Sequence, residues 1–270
     1  MVRVYAVLLG VIQGLTEFLP VSSSAHLILA RAFFGWGEFS KAFDVACHIG
    51  TLIAVVIYFW SDILVMVRAV PRLGTVLGPR PDPGAWMACL LVLGTIPAVI
   101  VGFFLSKTID ARCSTPIIAA VMLAAGALVF FAVERWGARR RTEASLGLLD
   151  VAVIGCAQAA ALVPGVSRSG ATISAGMALG LRRDEAARFS FLLGVLAILG
   201  AGVHEGWKSV GHGLPPGEGT IFAVGMVSSA IVGYFAVRLF IRYLTRHSLS
   251  VFAWYRLALA ASVVIWWVAR

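Results

Sequence analysis

Residues 18–26 read FLPVSSSAH and residues 162–172 read LVPGVSRSGAT. Each places proline and hydroxyl residues, and the second also glycine, in the middle of an otherwise apolar segment, residues 1–34 in the first case and 147–180 in the second. Proline inside a helix removes a backbone hydrogen bond and clashes with the preceding turn, so both segments are expected to break there. The half-segments are then too short to cross the hydrocarbon core, which takes about 20 apolar residues. Open backbone at membrane depth is tolerated only where it is buried in protein or lines a wet cavity. Both segments therefore read as re-entrant helix-loop-helix hairpins, and both point to a site.

Around them lie six apolar blocks long enough to span a bilayer, at roughly 41–60, 86–106, 116–134, 187–204, 219–241 and 251–268. The composition agrees. Of 270 residues, 60% are hydrophobic and 13% charged, about half the charge of an ordinary soluble domain. Disorder, a soluble globule and an alternating-strand barrel are excluded. The expected class is an all-α polytopic membrane protein. Its first 20 residues have the charge and hydropathy of a signal peptide, but no small-residue cleavage site closes the run, and the segment is expected to stay.

The broken segments also match each other. Gln13 precedes Pro20-Val21-Ser22-Ser23-Ser24-Ala25, and Gln158 precedes Gly165-Val166-Ser167-Arg168-Ser169-Gly170. Each copy is followed by three of the spanning blocks. An odd number of spans per copy forces the second to enter from the opposite face, which is an inverted-topology repeat with its broken helices meeting near the midplane. The expected organisation is one membrane domain, with repeat one at about 1–134 and repeat two at about 147–270.

The net charge of +9 would suit a nucleic-acid binder, but the basic residues lie between apolar blocks and report topology instead. Arg68, Arg72, Arg80, Arg135, Arg139 to Arg141, Arg182, Arg183, Arg188, Arg238, Arg242, Arg246 and Arg256 are assigned to one side. The opposite side has Arg3, Arg31, Lys41, Lys107, Arg112, Lys208 and Arg270. The richer side is expected to be cytoplasmic, with both termini outside. Four scattered cysteines, Cys47, Cys89, Cys113 and Cys156, signal neither zinc nor disulfides.

Ionisable and hydroxyl groups at membrane depth are functional candidates by default. Glu17 lies one helical turn after Gln13, so the two share a face and can offer oxygens to a cation or a water; the alternative is a buried pair with Arg168 for assembly only. Ser22, Ser23 and Ser24 follow Pro20 where a helix restarts, as helix caps or as a nucleophile and its neighbours. His26, three residues after Ser23, completes a local nucleophile, base and carboxylate set with Glu17, or is a structural histidine. Arg168 requires an anionic partner at that depth, and its planar fork matches phosphate. It sits among Ser167, Ser169, Gly170 and Thr172, in a turn able to cradle phosphate oxygens. With Ser23 opposite, the set describes phosphoryl transfer. Asp44 and His48 either face the site or anchor the interface. His204, Glu205 and His212 read as solvated.

QGLTEFLPVSSSAH at 13–26 and PGVSRSGATI at 164–173 resemble the two signature motifs of the undecaprenyl-diphosphate phosphatase family, the bacterial bacitracin-resistance proteins. The likeness extends through FDVACHIGTLIAVVIYFW (43–60), TIPAVIVGF (95–103) and RFSFLLGVLAILG (188–200); the loops at 72–85 and 205–218 are not recognisable. The resemblance implies a multi-pass enzyme of the bacterial inner membrane, its active site open to the periplasm. Its substrate would be a polyprenyl diphosphate among membrane lipids, with no nucleic acid and with a homodimer left open. It implies hydrolysis of undecaprenyl diphosphate to the monophosphate carrier for wall synthesis, with a divalent cation, Mg2+ or Ca2+. On matching positions Ser23 would be the nucleophile and Glu17 the carboxylate acting on metal or water. Arg168 would be the charge clamp and His26 a supporting or proton-transfer group. Gln13 stands where many relatives have Glu, so Glu17 must carry any charged role. The alternative from a different class is a lipid-phosphate flippase or anion carrier, since inverted repeats with broken helices are also transporter architecture.

Overall fold

The computed structural model describes residues 2–34, 39–210 and 218–269, and among these it is helical throughout, with no strand beyond a single bridge between Arg141 and Leu181. The side chains of His204 and Glu205, and the whole of His212, lie outside the described residues. In chain order the helices are α1 (Val2–Phe18), α2 (Ser23–Phe34), α3 (Lys41–Tyr58), α4 (Trp60–Ala69), α5 (Pro83–Cys113), α6 (Pro116–Trp136), α7 (Leu148–Ala160), α8 (Arg168–Ala178), α9 (Arg183–Val210), α10 (Glu218–Leu244) and α11 (Ser250–Val268).

Five helices, α5, α6, α9, α10 and α11, are long and apolar enough to cross a membrane. The first expected span is not one straight helix. The chain bends by 79° between Tyr58 and Trp60, and α3 with α4 passes the same test only as a pair, so the total is five or six. No proline lies at the bend; the Phe59 N–H closes the last turn of α3 on the Val55 carbonyl and the Phe59 carbonyl then opens α4. Elsewhere the starts are written locally. Asp82 caps α5 by accepting from the N–H groups of Gly84 and Ala85, and Thr115 caps α6, each followed by a proline at the first helical position.

Both broken segments are broken. α1 ends at Phe18 and α2 starts at Ser23; α7 ends at Ala160 and α8 starts at Arg168. The packing around the two breaks is reciprocal: α1 lies on α10 and α7 lies on α5, while α6 packs on α11. Close approach is allowed at matching places. A methyl on Gly10 of α1 would stand 2.6 Å from the Gly225 carbonyl of α10, and one on Gly155 of α7 would stand 2.7 Å from the Gly94 carbonyl of α5. Small residues of this kind let backbones meet where no hydrophobic force operates between helices.

The charged ends of the bundle gather at one face. Glu134 at the end of α6 takes Arg183 at the start of α9, Arg139, and the Leu249 N–H before α11. Arg141 forks onto Asp150, and Arg188 reaches Asp62. Arg139 and Arg141, read from sequence only as a topology signal, are thus built into ion pairs. Arg256 corrects the charge assignment outright. It is not an end-of-span residue but is fully buried, at 0% exposure, in the second turn of α11.

Candidate active site

The two breaks have the same local geometry. Ser22 and Ser167 both have φ of 72°, left-handed and unusual for a serine. The Ser22 hydroxyl accepts from the Ala25 N–H and the Ser167 hydroxyl from the Gly170 N–H, and each lies beside the hydroxyl two residues on, Ser24 or Ser169. A helix entered in this way leaves its first side chain, Ser23 in one turn and Arg168 in the other, projecting from the turn itself.

Those side chains converge on Glu17, which is buried in the last turn of α1. Ser23 Oγ donates to Glu17 Oε2 at 2.7 Å, and Gln13 Nε2 donates to the same oxygen at 2.9 Å. Arg168 Nη2 donates to Glu17 Oε1 at 2.7 Å. Around them lies a polar cavity of about 150 Å³ lined by Thr16, Glu17, Ser22, Ser23, Ser24, His48, Ala161, Ser167 and Arg168. Among the described residues two buried polar atoms of the cluster have no partner: Arg168 Nη1, a donor, and Gln13 Oε1, an acceptor. The Arg168 guanidinium is part of the cavity wall, where it can pair with an anionic oxygen, while Nη1 itself is buried against α9. Its seat is made by Gly194 of α9, where a methyl would collide with the guanidinium.

Of the residues singled out from sequence, Gln13, Glu17, Ser22, Ser23, Ser24, Ser167 and Arg168 are brought together. Ser169, Gly170 and Thr172 stand behind the cavity wall. The Thr172 hydroxyl bonds the Arg168 carbonyl at 2.8 Å and Ser190 Oγ at 2.5 Å, and Ser169 lies near the Leu19 carbonyl. They hold the turn and do not line the cavity.

His26 does not meet Ser23. Its Nδ1 donates to the Ser22 carbonyl at 2.8 Å, its Nε2 pairs with the Tyr255 hydroxyl at 2.7 Å, and the two rings stack. The imidazole that does reach the cluster is His48 of α3, whose Nε2 is 3.7 Å from Glu17 Oε2. Its Nδ1 lies 2.7 Å from the Asp44 carbonyl, which can only accept, so Nδ1 carries a proton and Nε2 is the atom free to take one. Asp44 is in turn held by Arg31 at the end of α2. Spacing along α3 raised His48 as one of two options; the contact itself depends on how α3 packs on α1.

Residues 6–262 match the model of the family described as bacitracin resistance protein BacA. The chain is 46% identical over 260 residues to an undecaprenyl-diphosphatase of Rubrobacter xylanophilus, with 96% of each chain covered. It is 43% identical to one from Thermomicrobium roseum, again with 96% of each covered, and 42% identical to one from Geobacter sulfurreducens, with 98% of each covered. With a hydroxyl, a guanidinium and an imidazole gathered on one carboxylate between two matching turns, and with likeness running along nearly its whole length, the chain belongs to the BacA family of bacitracin resistance proteins.

Proposed function

We infer that this chain is an undecaprenyl-diphosphate phosphatase, hydrolysing undecaprenyl diphosphate to undecaprenyl phosphate and inorganic phosphate and so recycling the lipid carrier for cell-wall synthesis. The observation that carries the chemistry is the Glu17 carboxylate shared by Ser23 on one turn and Arg168 on the other. A serine whose hydroxyl points at a carboxylate has a base in place. A guanidinium in the cavity wall has a position for a phosphate oxygen.

In this reading the terminal phosphate enters the cavity and engages the Arg168 guanidinium. Ser23 Oγ attacks the terminal phosphorus in line, Glu17 takes the hydroxyl proton, and the anhydride P–O bond breaks to release undecaprenyl phosphate. Water then cleaves the phosphoserine, its proton passing to His48 Nε2 while Glu17 returns its proton to the departing Ser23 Oγ, and inorganic phosphate leaves. Direct attack by a water held on Glu17 is the rival route. A phosphoserine trapped at Ser23 by acid quench separates them. His26 supports the first turn from behind, through Ser22 and Tyr255.

Magnesium or calcium fits the oxygens on offer: the Glu17 carboxylate, the unpartnered Gln13 Oε1 and the serine hydroxyls. Among the described residues no three of His, Cys, Asp and Glu converge, so phosphate oxygens and water would complete the shell. When bound, such a cation neutralises charge that develops on the phosphate.

The finer architecture follows the same reading: two inverted repeats in one membrane domain, re-entrant at α1–α2 and α7–α8, in the bacterial inner membrane with the cavity facing the periplasm. The reciprocal packing of α1 on α10 and α7 on α5 supports it. The same packing favours a second reading, a lipid-phosphate flippase. Purified protein in detergent decides between them, because without compartments a transporter releases no phosphate. Phosphate release from undecaprenyl diphosphate that stops with chelator is expected; tight lipid binding with no release would move the transporter to first place.

A further inference from the structure

Among the described residues Arg256 has no carboxylate partner, yet a buried guanidinium is tolerated only when its donors are satisfied. Here backbone carbonyls satisfy all three nitrogens. Nε donates to Leu123 and Nη2 to Met122, both on α6; Nη1 donates to Pro20 and Nη2 to Gly165, at 3.2 and 3.0 Å; and both Nη atoms reach Val166. Pro20 and Gly165 are the counterpart positions of the two turns, each two residues before the left-handed serine. Phe130 lies under the guanidinium, 5.0 Å from its carbon. Gly126 of α6 leaves the space it occupies, since a methyl there would collide with Nη2. Tyr255, the preceding residue, holds His26. One turn of α11 thus grips both breaks, from outside the cavity that Ser23 and Arg168 line.

We infer that Arg256 is a positioning residue for phosphoryl transfer: by binding the matching carbonyls of the two turns it fixes the separation across which Ser23 and Arg168 meet Glu17. The inference rests on the active-site reading above. Lysine cannot replace it, because a single ammonium lacks the planar fork that spans both turns. A displacement of about 1 Å at a reacting group costs on the order of 100-fold in rate, so the effect should appear in turnover and not in capture of the lipid.

The test compares wild type, Arg256→Lys, Gly126→Ala and Arg168→Ala, purified in detergent, by phosphate release from undecaprenyl diphosphate normalised to folded protein by size exclusion and thermal melting. Expected are a fall in kcat of about 100-fold for Arg256→Lys and about 10-fold or more for Gly126→Ala, with KM within about threefold of wild type. Gly126→Ala keeps the charge and pushes the guanidinium, so it carries the test where Arg256→Lys fails to fold. Full kcat per folded molecule in both variants, or a loss confined to KM or to yield, overturns the inference while loss in Arg168→Ala leaves the active site standing. Wild-type turnover in Arg168→Ala overturns the active-site reading, and this inference with it.

Discussion

Ser22 and Ser167 occupy the same place in two turns: both left-handed, both capping the next helix, both beside a second serine. The next residue differs, Ser23 in the first turn and Arg168 in the second. The helix before each turn differs as well, because Glu17 in α1 has Leu162 as its counterpart after α7. One scaffold, used twice, therefore presents a hydroxyl with its carboxylate from one side and a cation from the other. The difference teaches how an asymmetric reaction is built from a repeated frame: the backbone supplies matching entry points, and a single side chain at each decides the chemistry. The shared carboxylate then joins them, since the half-buried guanidinium of the second turn has its counter-charge in the first.

The strongest break of this comparison is removal of the hydroxyl. Ser23→Ala should lower phosphate release by about 1,000-fold or more if the serine is the nucleophile, and should leave no phosphoserine in a quenched sample; near-normal turnover would leave only the water route. Next in size, Gly194→Ala fills the seat of the Arg168 guanidinium and should cost on the order of 100-fold in kcat, read by steady-state kinetics, although it alters no group of the first turn. The two imidazoles sharpen the comparison further. His48→Gln, beside Glu17, should cost about tenfold or more in kcat, within the range for a lost proton-transfer group, and more than Tyr255→Phe, which only frees His26. A larger effect from Tyr255→Phe would reverse the assignment. The smallest effect tests the likeness of the turns themselves. Ser22→Ala and Ser167→Ala each remove a helix cap and should each lower stability by about 1 kcal/mol, so unequal shifts in melting temperature would mean that the turns are held differently.

Much of this was legible in the sequence, for reasons tied to length and to backbone chemistry. A span needs about 20 apolar residues, so α5, α6, α9, α10 and α11 stand out as blocks, and Pro20 and Pro164 mark the breaks on either side of the site. Gln13 and Glu17 share a helix face because four residues make one turn, and they do bond. What depended on packing was not legible. The 79° bend at Phe59 has no proline or glycine to announce it. His26 lies close to Ser23 in sequence, but the direction of α2 turns its ring toward α11, and His48 arrives from another helix. Arg256 sits seven residues into α11, where an arginine reads as an end-of-span charge. Only the carbonyls of three separate segments, brought together by folding, reveal that it is buried among them.

The central claim is that the two turns form one phosphatase site through Arg168. The direct measurement is phosphate release from undecaprenyl diphosphate by purified protein in detergent with magnesium or calcium, for wild type, Arg168→Lys and Arg168→Ala. The account predicts release by wild type, a loss of about 1,000-fold or more in Arg168→Ala, and incomplete recovery in Arg168→Lys, which keeps the charge without the fork. Wild-type turnover in Arg168→Ala would contradict it.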